Sequence, residues 1–254
     1  MRNESTGQKL SETTIRNESE KDIPYTIRLL RAGEKTREKV LKPGDTDRYP
    51  GDVALILTFQ RGIKKIPYRL NAGISYSFRS DRSNELDVFS GDRIKSDTET
   101  PVPFVTTPMD VVRKMLEMAR VDHDDILYDL GCGDGRIVIT AAKEYGARGV
   151  GIDIDHRRIK EFIARAKAAG AEDLVEFRLQ DAEKAFFSDA TVVTLYLLSE
   201  VNERLRPVLE KQLKCGVYIV SHNYPILGWA CKLIEYVTMK AEDNEEHIIY
   251  LYRR

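Results

Sequence analysis

Hydrophobic and polar positions change their rhythm once along this chain, close to residue 100. Between residues 23 and 90 the apolar residues come in short runs rich in β-branched and aromatic side chains: IPYTIRLL at 23–30, DVALILTF at 52–59, KKIPYRL at 64–70 and ISYSFRS at 74–80. In the last of these Ile74, Tyr76 and Phe78 alternate with Ser75, Ser77 and Arg79, the period of a strand with one buried face. Turn formers separate the runs, at Lys42-Pro43-Gly44-Asp45, Pro50-Gly51-Asp52, Arg61-Gly62 and Asn71-Ala72-Gly73. Short strands at this spacing predict a small β-sandwich or barrel over 23–90. It carries no catalytic constellation, so the expectation is a packing or docking module. Residues 1–22 are polar and read as a tail, and the polar stretch 91–103 reads as a linker.

From Phe104 onward, strand and helix periods alternate, which predicts βαβ units and a parallel sheet. Thr107-Pro108-Met109-Asp110 has the form of a helix start, with threonine as N-cap, proline at N1 and an acid at N3. Val111, Val112, Met115, Leu116 and Ala119 then mark one apolar face. Strands are predicted at DILYDL (125–130), RGVGIDI (148–154), LVEFRL (174–179), the almost wholly apolar ATVVTLYLL (190–198) and GVYIVSH (216–222). Helices are predicted from the glycine loop to about Tyr145, over 156–169 and over 199–213, the last with Pro207 opening a second piece. CKLIEYVTMK and EEHIIYLYRR, around a polar AEDN, form an antiparallel hairpin. The expected fold is α/β: a Rossmann-like parallel sheet over 104–254, closed by that hairpin and preceded by a small all-β domain.

The chemistry concentrates at LYDLGCGDGRIVITAA, residues 127–142. A glycine loop between a strand and a helix offers backbone N–H groups and the positive end of a helix dipole. It can cradle a phosphate, a dinucleotide or S-adenosylmethionine. A P-loop needs Lys-Ser/Thr after its last glycine, and Arg136-Ile137 follows Gly135. A dinucleotide GxGxxG places its third glycine where Arg136 stands. The pattern is instead Asp129-x-Gly131-x-Gly133-x-Gly135, with a second acid at Asp134. Carboxylates crowding the loop repel a pyrophosphate and suit a cofactor that carries a sulfonium and an ammonium. Asp153 ends the second strand, where a carboxylate can accept from both ribose hydroxyls; Asp181 follows the third, where it can accept from an adenine amino group. Each of these aspartates can also serve as a helix N-cap or turn residue.

Charge and cysteine content narrow the partners. Forty basic residues against forty-one acidic ones leave no global field to recruit nucleic acid or an anionic membrane. No run approaches the roughly 20 apolar residues of a membrane-spanning helix. The N-terminus lacks the apolar core of a signal peptide. Cys132, Cys215 and Cys231 are spread too widely for a zinc site or a disulfide framework, and no metal is expected. The expectation is a cytoplasmic protein.

Several stretches carry a family likeness: PFVTTP at 103–108, DDILYDLGCGDGRIVITAA at 124–142, GVGIDID at 149–155, ATVVTLYLLSEVNERLRPVLEKQL at 190–213 and IVSHNYPILGW at 219–229. Together, residues 104 to about 229 resemble the class I methyltransferases of the archaeal protein-lysine methyltransferase group, relatives of the mitochondrial ATP synthase c-subunit lysine methyltransferases. The resemblance implies S-adenosylmethionine contacts from Asp129, Gly131, Gly133, Asp153 and Asp181, with Thr107 in the 104–108 segment closing over the methionine end. Cys132 and Tyr196 complete the candidate cofactor set. It also implies protein lysines as acceptors, whose amine must lose its proton before in-line transfer. Tyr196, Tyr224 and Trp229 are candidates for an aromatic acceptor channel, and His222 is either a general base or a hydrogen-bonded structural histidine. The family usually has proline where Thr106 stands, and its compact archaeal members lack a counterpart of 23–90. Methylation of a small molecule or RNA, and a non-enzymatic cofactor-binding role with a docking β module, remain as alternatives.

Overall fold

A computed structural model describes residues 12–80, 84–90 and 105–254. The predicted linker 91–103 lies outside them. The chain divides into two compact units, residues 1–95 and 96–254.

In the first unit the described residues form eight strands: β1 (Thr13–Asn17), β2 (Ile23–Leu29), β3 (Arg37–Leu41), β4 (Thr46–Tyr49), β5 (Leu55–Arg61), β6 (Lys64–Leu70), β7 (Ser75–Ser80) and β8 (Leu86–Ser90). They make two four-stranded sheets, ordered β4-β1-β7-β8 and β3-β2-β5-β6. The sheets face each other across an aromatic core: Phe78 of β7 meets Phe59 of β5 edge-on at 5.1 Å and Tyr25 of β2 at 6.0 Å. The four runs read from the sequence are β2, β5, β6 and β7. The reading of residues 1–22 as a tail needs correction, because β1 lies within it and is a central strand. Its inward positions are Thr13, Ile15 and Asn17, so only one of three is apolar. Asn17 Nδ2 donates to the Leu41 and Lys21 carbonyls at 2.8 Å, and Thr13 Oγ1 accepts from the Gly73 N–H at 2.7 Å.

A charged group is buried in this unit. Asp87, fully buried, accepts from Tyr68 Oη at 2.6 Å, from Arg61 at 2.8 Å and from the Val88 N–H at 2.8 Å. Asp87→Ala removes the buried partner of Arg61, which keeps only the more exposed Glu85 at 2.9 Å, and equilibrium denaturation should record a loss of about 2–4 kcal/mol. A loss under about 1 kcal/mol would show that the network is not structural.

The second unit is α/β. Its elements are α1 (Met109–Met118), β9 (Ile126–Leu130), α2 (Arg136–Tyr145), β10 (Arg148–Asp153), α3 (His156–Ala169), β11 (Val175–Leu179), β12 (Val192–Leu195), α4 (Ser199–Gln212), β13 (Tyr218–His222), β14 (Leu233–Lys240) and β15 (Glu246–Arg253). They build a seven-stranded sheet of order β11-β10-β9-β12-β13-β15-β14. The first five strands are parallel, and β15 inserts antiparallel between β13 and β14. Successive strands step outward from β9 to β11; the chain then crosses back and lays β12 on the other side of β9. The carboxyl ends of β9 and β12 are thus a topological switch point, where open α/β sheets form a ligand crevice.

Two local expectations are revised. Thr107 does not cap α1: Pro108 holds that position without a side-chain cap bond, and the Thr107 hydroxyl turns to His222 instead. Pro207 does not open a second piece, because α4 runs unbroken from Ser199 to Gln212.

Gly135 shows what the loop glycines do for the fold. It precedes α2 with φ +75°, and a Cβ there would stand 2.0 Å from Phe162 Cδ2 of α3. Its lack of a side chain therefore serves helix packing as well as the turn. Left-handed strain and overpacking together should make Gly135→Ala cost about 2–4 kcal/mol in chemical denaturation. An unchanged midpoint would refute this packing role.

Candidate active site

A cavity of about 720 Å³ opens at the switch point, beside the carboxyl ends of β9, β10 and β12. Eight of the residues singled out in the sequence line it: Thr107, Asp129, Gly131, Cys132, Asp153, Asp181, Tyr196 and Tyr224. Gly133, His222 and Trp229 are not in its wall. Gly133 acts one step back, its N–H donating to Asp153 Oδ2 at 2.8 Å. His222 is fully buried, with its ring 4.0 Å from that of Tyr196. Trp229 belongs to the core, 5.9 Å from the Tyr252 ring, which corrects its assignment to a channel.

Acidity dominates the floor. Asp129 ends β9 almost fully buried and accepts from Thr194 Oγ1 at 2.7 Å. Burial pushes its carboxyl up to about 7 against the pull of the Thr194 bond, with the Asp153 and Asp134 charges adding to the rise. Asp153, at the end of β10, is fixed by the Gly133 N–H and by the Asp155 N–H at 2.9 Å. Its remaining acceptor capacity faces the cavity. Despite its burial Asp134 is held below the usual carboxylate range by the guanidinium of Arg136, 2.6 Å away, and by Arg165. Arg136 also donates to the Thr107 carbonyl at 2.7 Å, tying the 105–107 segment to the loop. Asp181 accepts from the Glu183 N–H at 2.9 Å and opens a single helical turn, so it is an N-cap that also lines the cavity. Burial pushes the Cys132 thiol up, as for a buried structural cysteine.

One wall is aromatic. Tyr196, just beyond β12, lies between His222 and Tyr224, whose ring is 6.3 Å away and tilted by 20°. Tyr224 follows Asn223, which adopts φ +59°. The bend is held by Asn202 Nδ2, donating to the Tyr224 carbonyl at 3.1 Å, and by Ser221 Oγ, donating to the same carbonyl. Leu197, Leu198 and Val201 extend the wall with apolar surface.

This donor set fits S-adenosylmethionine better than a phosphorylated cofactor. Asp129 and Asp153 offer acceptors to a cation and to hydroxyls, while the guanidinium of Arg136 is taken up by Asp134 and Thr107. The sequence singled out part of this surface, from the glycine loop and the strand ends. It did not reveal the parts played by Thr194, Arg136, Asn223 and His247, which depend on tertiary contacts.

A sheet of this order, with an acid-floored cavity at its switch point, defines a class I S-adenosylmethionine-dependent methyltransferase. The comparisons agree. The family described as ANTKMT methyltransferase domain matches residues 129–232. A protein-lysine N-methyltransferase of Saccharolobus islandicus is 48% identical over 153 residues, 59% of this chain and 92% of that protein. The adenine nucleotide translocase lysine N-methyltransferase of Mus musculus is 30% identical over 129 residues, 50% of this chain and 56% of that protein. Among solved structures, an RNA methyltransferase from Salinibacter ruber in complex with S-adenosyl-L-homocysteine is 48% identical, covers 59% of this chain and 93% of its own, and superposes with a TM-score of 0.55. The chain belongs to the protein-lysine N-methyltransferase family and uses S-adenosylmethionine.

Proposed function

We propose that the protein transfers methyl groups to lysine side chains of other proteins. The observation that carries this reading is the aromatic wall of Tyr196 and Tyr224, with the His222 ring behind Tyr196, beside a carboxylate floor. A lysine side chain is an apolar stem that ends in a cation, and such a wall suits both parts. Ring faces near the reacting cation add about 0.5–2 kcal/mol each. The apolar residues Leu197, Leu198 and Val201 exclude water and favour the neutral amine.

The cofactor, when bound, supplies an electrophilic methyl group. On this reading Asp153 holds its ribose hydroxyls, Asp129 its ammonium and Asp181 its adenine, and the 105–107 segment covers the methionine end. Tyr196 and Tyr224 orient the acceptor nitrogen, since in-line transfer depends on alignment more than on a covalent intermediate. The amino-terminal β-sandwich is read as a docking module for the protein substrate. The three free thiols suit a reducing, cytoplasmic setting. Among the described residues no helix is long and apolar enough to cross a membrane.

The Salinibacter structure, named for RNA, motivates the competing reading. Against it stand the chain's formal net charge of −1 and the acids around the cavity. The test is to incubate the full chain with methyl-tritiated cofactor and a cell extract, then count the protein, RNA and small-molecule fractions. Label should enter protein and appear as methyl-lysine after acid hydrolysis. Label confined to RNA would transfer the assignment to RNA.

A further inference from the structure

Behind the aromatic wall a line of hydrogen bonds runs from the cavity to the surface. Thr107 Oγ1 lies 3.2 Å from His222 Nδ1, His222 Nε2 lies 2.8 Å from His247 Nδ1, and His247 Nε2 lies 3.1 Å from Asp243 Oδ2. Thr107, His222 and His247 are buried, whereas the Asp243 side chain, in the β14–β15 turn, is 41% exposed. Both ends are fixed to one another. The Met109 N–H donates to Glu242 Oε1 at 2.9 Å, and the Glu242 N–H donates to Asp110 Oδ2 at 3.0 Å.

The direction of every proton in this line follows from two groups of fixed character. Asp243 is an anion, held below the usual carboxylate range by the Glu245 N–H and then by the His247 ring. A carboxylate only accepts, so His247 Nε2 donates to it. Asn223 Oδ1 accepts from the Ile248 N–H at 3.0 Å, which turns the amide nitrogen, a donor only, toward His247 Nδ1 at 3.5 Å. His247 Nδ1 is therefore a lone pair, and His222 Nε2 carries the hydrogen that points at it. His222 Nδ1 is in turn a lone pair and receives the Thr107 hydroxyl hydrogen. Thr107 itself lines the cavity, and this bond leaves its oxygen lone pairs unused.

From this geometry we propose that Thr107, His222, His247 and Asp243 act as the base of the methyl-transfer reaction, Thr107 as the catalytic residue and the other three as its positioning relay. The proposal rests on the lysine reading above. An N–H bond of the acceptor ammonium breaks and an O–H bond forms at Thr107, while the original Thr107 hydrogen moves to His222 Nδ1. The amine is left neutral with a free electron pair. His222 becomes an imidazolium whose charge faces Asp243 through His247. When product leaves, the proton returns through Thr107 to water in the open cavity. Titratable or charged groups against this line include Tyr196, against the His222 ring, Glu242, bonded to Met109, Asp110, bonded to the Glu242 N–H, and Arg136, bonded to the Thr107 carbonyl. The same line explains why the Thr107 hydroxyl does not cap α1.

Two measurements on the full chain test this. Nitrogen-15 NMR of the histidine rings should find His222 and His247 neutral and protonated at Nε2 near neutral pH; a His222 protonated at Nδ1 would overturn the relay. Single-turnover methylation of a library of lysine-containing peptides should be slowed about tenfold by Asp243→Asn, with cofactor KM changed less than twofold and the rate recovering as pH is raised. At saturating cofactor Thr107→Val should slow the same step to a similar degree, and Thr107→Ser should restore the rate. Wild-type rates and pH profiles in Asp243→Asn and Thr107→Val would sink the relay and leave the lysine reading standing. A wild-type chain that labels no lysine peptide would remove that reading, and the relay with it.

Discussion

Asp129→Asn is expected to make the cofactor-free protein more heat-stable near neutral and alkaline pH while removing its ability to bind cofactor. The sign follows from the raised carboxyl. Asp129 titrates at about 7 when folded, against an ordinary value of 3.8, so the folded state binds this proton more tightly than the unfolded one. Its contribution to stability is therefore greatest at acid pH and declines as pH rises from about 4 through about 7, where the buried charge must form. Asparagine keeps an acceptor for Thr194 and carries no charge. The gain at about pH 8 should be on the order of 2–4 kcal/mol, or roughly 5–10 °C in the transition of the second unit. The two proteins should converge only below about pH 4, where Asp129 is protonated in both the folded and unfolded states. Scanning calorimetry of both at the two pH values checks this, and an equal or lower transition for Asp129→Asn at alkaline pH would rule it out. Loss of binding completes the trade, because on the proposed reading the carboxylate whose burial costs stability is the partner of a cationic ligand. Wild-type binding below about pH 7 should accordingly release a proton, visible as a buffer-dependent binding enthalpy.

Asp153→Ala is expected to lower affinity for S-adenosylhomocysteine by at least about 100-fold. Two hydrogen bonds from ribose hydroxyls to a carboxylate are each worth about 1.5–3 kcal/mol. The substitution also frees the Gly133 and Asp155 N–H groups that now converge on this side chain. Titration calorimetry of both proteins, with NAD alongside, decides the matter. Retained affinity in Asp153→Ala would move the ribose contact elsewhere, and preferential binding of NAD would contradict the acid-floor argument.

Much of the second unit was legible in the sequence because each of its elements has its own period. The helices 136–145 and 156–169 and the strand following each announce themselves through apolar spacing and a glycine at each helix end. The acids at the ends of β9 and β10, and just beyond β11, could be found because strand ends are recognisable and ligand crevices form there. What escaped was set by tertiary contacts. Thr107 has the local form of an N-cap, and a histidine 115 residues later outcompetes the helix for its hydroxyl. Trp229 looks like a channel aromatic beside Tyr224, but the bend at Asn223 puts Tyr224 in the wall while Trp229 packs on Tyr252. In the first unit, β3 (REKVL) and β4 (TDRY) were hidden because they are sheet edges, where charge discourages pairing with another chain.

The place of β1 has a practical consequence. It is bonded to β4 on one side and, in parallel, to β7 on the other, some 60 residues away in sequence. A chain shortened at residue 20, as its polar composition invites, would lose the middle of a sheet. β4 would have no neighbour, and β7 would show an open edge whose Tyr76 and Phe78 once packed inside. Such a protein would tend to self-associate through that edge even though its methyltransferase fold was untouched. Insolubility after trimming would then report on strand order and say nothing about enzyme chemistry.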